Sequence, residues 1–170
     1  MAVGILGLTM ALGFSGCQSE NQKNQDAYRK IGINSMAEGD YDKAVKSFQK
    51  ALDTSLGKIG AEEIDICYYK AAAQFAKKDY DGAIETYTSL IDYDKENANA
   101  YYLRGSVYLD TDKKDKAFKD YKNAVKYAGR EYEIYEGIYE NLTNKGETEE
   151  AKNYLKKALD IKPKDGADYA

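Results

Sequence analysis

The chain has 170 residues, a net charge of −4 and 32% charged residues of both signs, a length sufficient for one domain. This balance excludes the usual nucleic-acid-binding protein, which needs clustered Lys and Arg. The sequence contains no histidine, which excludes histidine-based acid–base relays, Ser-His and Cys-His nucleophile pairs and histidine-ligated metals.

The first 16 residues are apolar or small and uncharged, and they end in Phe14, Ser15 and Gly16 before Cys17. The stretch is shorter than the about 20 residues of a membrane span, but it has the length of the apolar core of a secretory signal. Two small residues and a cysteine after such a core resemble the lipobox of bacterial lipoproteins. The resemblance implies that residues 1–16 are a signal peptide, cleaved before Cys17, and that the Cys17 thiol carries a diacylglyceryl group. A buried helix and an uncleaved anchor are the alternatives.

Residues 18–25 are all polar, and we expect residues 17–24 to form the lipidated cysteine and a flexible tether. A coil of this size spans roughly 15 Å, and two acyl chains anchor a protein stably where one does not. The resemblance places the protein on the extracytoplasmic face of the cell membrane. Because Gln18 rather than Asp follows the cysteine, that membrane would be the outer membrane in a diderm host.

A 34-residue period dominates the rest of the chain. Ala83, Ala117 and Ala151 recur at this spacing, and each is followed four residues later by a bulky side chain. A fixed period of this length indicates stacked supersecondary units. The predicted repeats are residues 25–58, 64–97, 98–131 and 132–165, followed by a short tail at 166–170.

Each repeat shows two apolar stripes at spacings of three and four residues, which predict two amphipathic helices. A short polar turn separates them: Glu38-Gly39-Asp40, Lys77-Lys78-Asp79, Asp112-Lys113-Lys114 and Lys145-Gly146-Glu147. From Ala44 to Ala83 the spacing is 39 residues, five more than the period. The extra residues fall within 55–63, as a longer loop or as an overlong second helix, and we favour the loop.

The register of small and bulky residues resembles the tetratricopeptide repeat (TPR), over nearly all of residues 25–165. A small residue lies in the first helix of three repeats, and a bulky residue follows the alanine of each second helix (Gly32, Ala71, Gly105; Phe48, Tyr87, Tyr121, Leu155). The fourth repeat departs from the pattern, with Tyr139 at the small position. The resemblance implies an all-α, right-handed α-solenoid of about four helix-turn-helix repeats, or eight helices. Three or more such units stacked together bury a continuous core.

The resemblance also implies a concave groove lined by the second, fifth, ninth, twelfth and thirteenth residues of each repeat. Its candidate partner-binding residues here are Arg29, Tyr68, Phe75, Asn99, Tyr102, Leu109, Glu133, Glu136 and Glu140. We hypothesise that the two tyrosines, Phe75 and Leu109 hold an apolar segment of a partner, while the three glutamates prefer basic residues. The alternative is that single rings pack between helices.

These observations predict a membrane-anchored TPR lipoprotein that scaffolds or assembles a protein complex at the bacterial cell envelope. An extracytoplasmic receptor for a peptide or saccharide is the alternative. The partner is a protein or peptide, with a membrane contact through the lipid and no nucleic acid. No acid, base and nucleophile converge in the sequence, so we expect no enzyme, cofactor or metal site. Cys67 falls at a core position, where a cysteine is usually inert.

Overall fold

The computed structural model describes residues 20–161, and within them eight α-helices form four antiparallel pairs that stack in chain order. The predicted signal segment, Cys17 and the tail at 166–170 lie outside the described residues. The all-α solenoid is confirmed, with no strand between residues 20 and 161. The helices are α1 Glu20–Ala37, α2 Tyr41–Thr54, α3 Ala61–Ala76, α4 Tyr80–Tyr93, α5 Ala98–Asp110, α6 Lys114–Ala128, α7 Tyr132–Asn144 and α8 Thr148–Ile161. Between residues 20 and 161, no helix combines the length and apolar character needed to cross a membrane.

The first helix begins at Glu20, which corrects the predicted boundary between tether and repeat. Residues 20–24, expected to be flexible, form the first turns of α1. Gln25 is buried, and its side-chain amide donates a 2.7 Å hydrogen bond to the Glu63 carboxylate of α3. This contact anchors the start of α1 on its neighbour, and Glu20 in the first turn complements the helix dipole.

The four turns within repeats lie where the sequence predicted them, and all four have the same backbone geometry. The second residue after each first helix has a left-handed backbone: Gly39, Lys78, Asp112 and Gly146, with φ between +57° and +80°. In each turn the following N–H donates to a carbonyl five residues back, at 2.8–2.9 Å. This pattern is a Schellman motif, which satisfies the last carbonyls of the helix and reverses the chain.

The five extra residues between the first two repeats are divided between two features. The α2 helix ends at Thr54, with the same 14 residues as α4, so the second helix does not run over length. The connection 55–60 is longer than the connections 94–97 and 129–131, and α3 has 16 residues where α5 has 13. Gly60 and Glu63 explain the early start of α3, because the Gly60 N–H donates to the Glu63 carboxylate at 2.8 Å.

Small residues of the first helices face bulky residues of the second helices. A Cβ atom on Gly32 would lie 2.5 Å from the Phe48 ring, and a Cβ on Gly105 would lie 2.9 Å from the Tyr121 ring. Phe48 and Tyr121 are fully buried. In the first and third repeats, the predicted register of small and bulky residues is therefore a packing contact between the two helices of the pair.

One charged pair is buried where α4, α5 and α6 meet. The Arg104 guanidinium donates two hydrogen bonds to the two Asp120 carboxylate oxygens at 2.8 and 2.9 Å, and a third to the Thr88 hydroxyl at 2.9 Å. The two side chains are 15% and 4% exposed. The bond to Asp120 raises the pKa of Arg104 above its ordinary value. The pair joins α5 to α6 within the third repeat, and the bond to Thr88 ties this pair to α4 of the second repeat.

Candidate functional site

The first helices of adjacent repeats meet through two positions of the 34-residue register. The fifth residue of one repeat faces the sixth residue of the next, and the three junctions between repeats differ in how these positions are filled. The pairs are Arg29 with Tyr69, Tyr68 with Leu103, and Tyr102 with Gly137. The concave surface is therefore not uniform along the solenoid.

The first junction, between α1 and α3, is closed by a charged pair. The Arg29 guanidinium lies over the Tyr69 ring, 5.3 Å from its centroid, and donates hydrogen bonds to the Asp65 carboxylate, one of them at 2.9 Å from Nε. This bonding raises the pKa of Arg29. Arg29, predicted to contact a partner, is thus already engaged by two residues of the next repeat.

The third junction, between α5 and α7, is closed by a tyrosine over a glycine. A Cβ on Gly137 would lie 2.3 Å from the Tyr102 hydroxyl oxygen, so the phenol occupies the space that a larger residue would need. Nearby, Asn141 donates a 2.8 Å hydrogen bond to the Ser106 hydroxyl, and the Tyr121 hydroxyl lies within 3.4 Å of the same oxygen. Burial raises the pKa of Tyr121 to about 12. This junction is a packed polar network.

The second junction, between α3 and α5, is open. The Tyr68 hydroxyl donates a 2.7 Å hydrogen bond to the side-chain carbonyl of Asn97, which also caps α5. Two connected depressions of about 250 and 190 Å³ lie beside it. They share Ala72, Tyr87 and Leu103 among their lining residues. We call this surface the α3–α5 groove and define it by Tyr68, Ala72, Phe75 and Leu103, with Tyr87 as its floor.

The groove is apolar, and its aromatic lining residues pack against other rings of the same repeat. Phe75 packs edge-on against Tyr80, with ring centroids 5.6 Å apart, and Tyr87 lies 6.3 Å from the Tyr68 ring. Tyr87 is 4% exposed, and burial raises its pKa and that of Tyr68. Side chains that are fixed in this way give a preformed surface for an apolar segment.

Of the predicted site residues, Tyr68 and Phe75 line the groove, and Leu109 does not. Leu109 is 2% exposed and packs in the core with α6 and α7, which corrects its predicted role as a contact residue. Its position near the end of α5 faces the next helix pair rather than the concave surface. Asn99 is exposed at the start of α5.

The predicted acidic end lies on α7. Glu133 and Glu140 are exposed, whereas Glu136 is half-buried and accepts a 2.8 Å hydrogen bond from the Tyr132 hydroxyl. This bond and the three carboxylates around it raise the pKa of Tyr132. The three carboxylates thus form one acidic surface next to the third junction.

Sequence reasoning missed Leu103 and Gly137, which decide where the concave surface is open. Both occupy the sixth position of their repeats, next to the fifth position that the prediction used. The repeat register could have identified them. When the fifth residue of one first helix faces the next first helix, the sixth residue of that next helix is the one it contacts.

The described residues offer little for bond-making chemistry. Between residues 20 and 161, no three side chains of the metal-ligating types Cys, Asp and Glu are grouped as a metal site would require. Cys67 is half-buried, and burial raises the pKa of its thiol, which disfavours the reactive thiolate.

Family models agree with the repeats seen in the structure. The tetratricopeptide repeat model matches residues 26–56, 98–130 and 140–165, more than half of the chain. A second model, described as TPR repeat, matches residues 71–112. The fold is a TPR solenoid, the class of helical repeat proteins that serve as protein-interaction scaffolds. The chain belongs to the tetratricopeptide repeat family.

Solved structures show the same fold. A crystal structure of MamA is 26% identical, with a TM-score of 0.63 over 81% of this chain and 78% of that chain. MamA from Desulfovibrio magneticus RS-1 is 22% identical, with a TM-score of 0.64 over 84% and 76%. YrrB, described as a TPR protein with an unusual peptide-binding site, is 18% identical, with a TM-score of 0.60 over 82% and 70%. No curated protein sequence matches the chain significantly.

Proposed function

We propose that the protein is a lipid-anchored TPR scaffold of the bacterial cell envelope, which holds an extended apolar segment of a partner protein in the α3–α5 groove. The TPR fold implies an interaction scaffold, and no catalytic family matches. The observation that carries the site is the open second junction, where Tyr68 and Leu103 border a depression of about 250 Å³. YrrB, which has this fold, is described as having a peptide-binding site.

The groove suits a peptide better than a polar small molecule. Its lining is formed mainly by aromatic and aliphatic side chains; the Asp65 carboxylate at its edge is paired with Arg29, and the Tyr68 hydroxyl donates to Asn97. Aromatic side chains in preformed pockets are frequent hot spots of protein interfaces. An extended segment can place one apolar side chain in each of the two connected depressions.

The acidic surface on α7 adds a preference for basic residues beyond the apolar segment. Glu133 and Glu140 are exposed there, and α7 lies next to α5, which forms one wall of the groove. Interactions between exposed charges are screened at physiological salt. We therefore expect the glutamates to affect the rate and the salt dependence of binding more than its strength.

The anchor is proposed from the sequence alone. The apolar segment that ends at Gly16 and Cys17 supports cleavage and lipidation, and the polar residues after it support export. A direct experiment is metabolic labelling with an alkyne fatty acid in a bacterial host, with Cys17→Ser as the control. Labelling that is lost in Cys17→Ser supports the anchor, and labelling that persists in this variant refutes it.

Peptide capture tests the groove. Peptides that bind the wild-type protein are selected from a displayed random library. Their affinities are then measured for the variants Ala72→Glu and Ala27→Glu. Ala72 lies within the groove, whereas Ala27 is an exposed residue of α1, so both variants add the same charge to a helix. We expect Ala72→Glu to abolish binding because it places a carboxylate in an apolar depression.

The control variant Ala27→Glu should bind as the wild type does, and circular dichroism should show that both variants are folded. If the selected peptides bind Ala72→Glu with the same affinity as the wild type, the proposed binding site in the α3–α5 groove is wrong. Capture of the natural partner from detergent-solubilised membranes, with the same three proteins, then identifies it by mass spectrometry.

A further inference from the structure

The connection 55–60, which carries part of the insertion, presents large apolar side chains to solvent. Leu56 is 75% exposed and Ile59 is 56% exposed, and Tyr93 beside them is 55% exposed. Leu56 also has a left-handed backbone with φ of +53°, a conformation that disfavours a leucine. An exposed leucine in an unfavourable conformation stabilises neither the loop nor the core, which points to a contact outside the chain.

An apolar cavity of about 260 Å³ opens behind this loop. Its lining includes apolar side chains from the loop, from α2 and from the two helices that follow (Leu52, Ile59, Ile64, Cys67, Leu90, Tyr93). Ile59 belongs to both the cavity and the exposed loop, so the two form one apolar surface. We call it the insertion patch and define it by Leu56, Ile59, Tyr93 and this cavity.

The start of α1 lies against the same loop. Asn21, Gln22 and Gln25 share a surface depression with Leu56 and Ile59. Cys17 precedes Glu20 by three residues, so the extended chain holds it within about 11 Å of the helix start. A lipid on Cys17 therefore brings the bilayer to the end of the solenoid that carries the start of α1 and the insertion patch.

We propose that the insertion patch is a membrane-contact surface, in which Leu56 and Ile59 enter the bilayer interface beside the lipid anchor. This inference rests on the proposed lipidation of Cys17. Apolar side chains next to a covalent lipid add to membrane affinity by burying apolar surface at the boundary of headgroups and acyl chains. The contact sets the orientation, with the end of the solenoid that carries the start of α1 and the insertion loop turned to the membrane.

The contact is apolar rather than electrostatic. Lys58 is the one charged residue of the loop 55–60, but Glu62 and Glu63 follow it in the first turn of α3, and the net charge of the chain is −4. An acidic neighbourhood does not attract anionic lipids. The patch is thus too weak to recruit the protein alone, and it acts because the anchor raises its effective concentration at the membrane.

Depth-dependent fluorescence quenching tests the inference on the purified lipidated protein. An environment-sensitive fluorophore is attached to Leu56→Cys, or to Leu159→Cys as the matched control, both in a Cys67→Ser background. Leu159 is also an exposed leucine, at 58% against 75% for Leu56, and it lies on α8, far from the insertion patch along the chain. The protein is reconstituted in phosphatidylcholine vesicles with a nitroxide near the headgroup end of the acyl chains.

We expect the label at residue 56 to be quenched by about twofold or more, since side chains of interfacial segments lie at the depth of the nitroxide. The label at residue 159 should not respond. Equal responses at the two positions, with intact acylation of Cys17 by mass spectrometry, would overturn the membrane contact and leave the anchor standing. A fluorescence change of the label at residue 56 that occurs without vesicles and grows with protein concentration would show self-association. This result would also overturn the membrane contact. Absence of the acyl group itself would refute the proposed anchor, and this inference with it.

Discussion

Replacing Arg104 with Met tests how much the buried charged pair of the third repeat, with its bond to Thr88 of the second, stabilises the solenoid. The substitution keeps the aliphatic stem of the side chain but removes three hydrogen bonds, two to Asp120 and one to Thr88. It leaves the Asp120 carboxylate, which is 4% exposed, without its cation. The cost therefore comes mainly from an uncompensated buried charge.

Breaking a buried pair by removing one partner costs about 3–5 kcal/mol. For a chain of this size each kcal/mol lowers the melting temperature by about 2–4 °C, so Arg104→Met should lower it by about 6–20 °C. Replacing both partners with apolar residues of similar volume is often close to neutral. The double variant Arg104→Met with Asp120→Leu should therefore recover most of the loss.

Urea unfolding followed by circular dichroism at several temperatures measures these free energies. The exposed ion pair of Lys95 and Asp92 is the control, and Lys95→Met should leave the midpoint unchanged because exposed pairs contribute little. The reasoning is refuted if Arg104→Met is as stable as the wild type. It is also refuted if the double variant is no more stable than the less stable single variant, since the two sites would then not be coupled.

Two further predictions concern the third junction. Gly137→Ala should destabilise the wild type because its Cβ would lie 2.3 Å from the Tyr102 hydroxyl, but should stabilise a Tyr102→Ala background, where helix propensity alone acts. The coupling should be about 1–3 kcal/mol in thermal and urea unfolding, and equal effects in both backgrounds would contradict it. Because the pKa of Tyr121 is raised to about 12, the unfolded chain loses this proton first, and the stability that Tyr121 contributes is present below pH 10 and lost as the pH rises towards 12. Unfolding free energies at pH 9–11 should therefore fall more steeply for the wild type than for Tyr121→Phe, by up to about 1.4 kcal/mol per pH unit; parallel slopes would show that Tyr121 ionises normally.

The helices and turns could be predicted from the sequence because the four repeats share one pattern of small, bulky and turn residues. The spacing of Ala83, Ala117 and Ala151 set the register, and small residues such as Gly105 marked where a bulky ring must fit. The residue at which α1 begins could not be predicted from this pattern. Residues 20–24 are polar, and they are helical because Gln25 is fixed to Glu63, a contact between residues 38 positions apart. Composition alone does not reveal such a contact.

The groove could be predicted only in part from the sequence, because whether a junction is open depends on pairs of residues from adjacent repeats. The fifth position includes Tyr68, which borders the depression, but whether that position is open depends on the sixth residue of the next repeat. Leu103 leaves a depression there, whereas Tyr69 and Gly137 each receive a side chain from the first helix of the preceding repeat. Leu109 was wrong for a related reason, since its place near the end of α5 is covered by the following helix pair.

Two of the 17 tyrosines show what a hydroxyl adds to the packing between helices. The hydroxyl of Tyr135 donates toward the carbonyls of Val125 and Gly129 at 3.2 Å, which ties α7 to the end of α6, and the hydroxyl of Tyr68 ties α3 to the start of α5. A tyrosine supplies both a ring for the seam between repeats and a polar tip that fixes the ring in place. At the second junction this fixing has a functional consequence. The bond to Asn97 holds the Tyr68 ring as one wall of an open groove, so a bound segment does not have to order that side chain, and the entropy cost of binding falls.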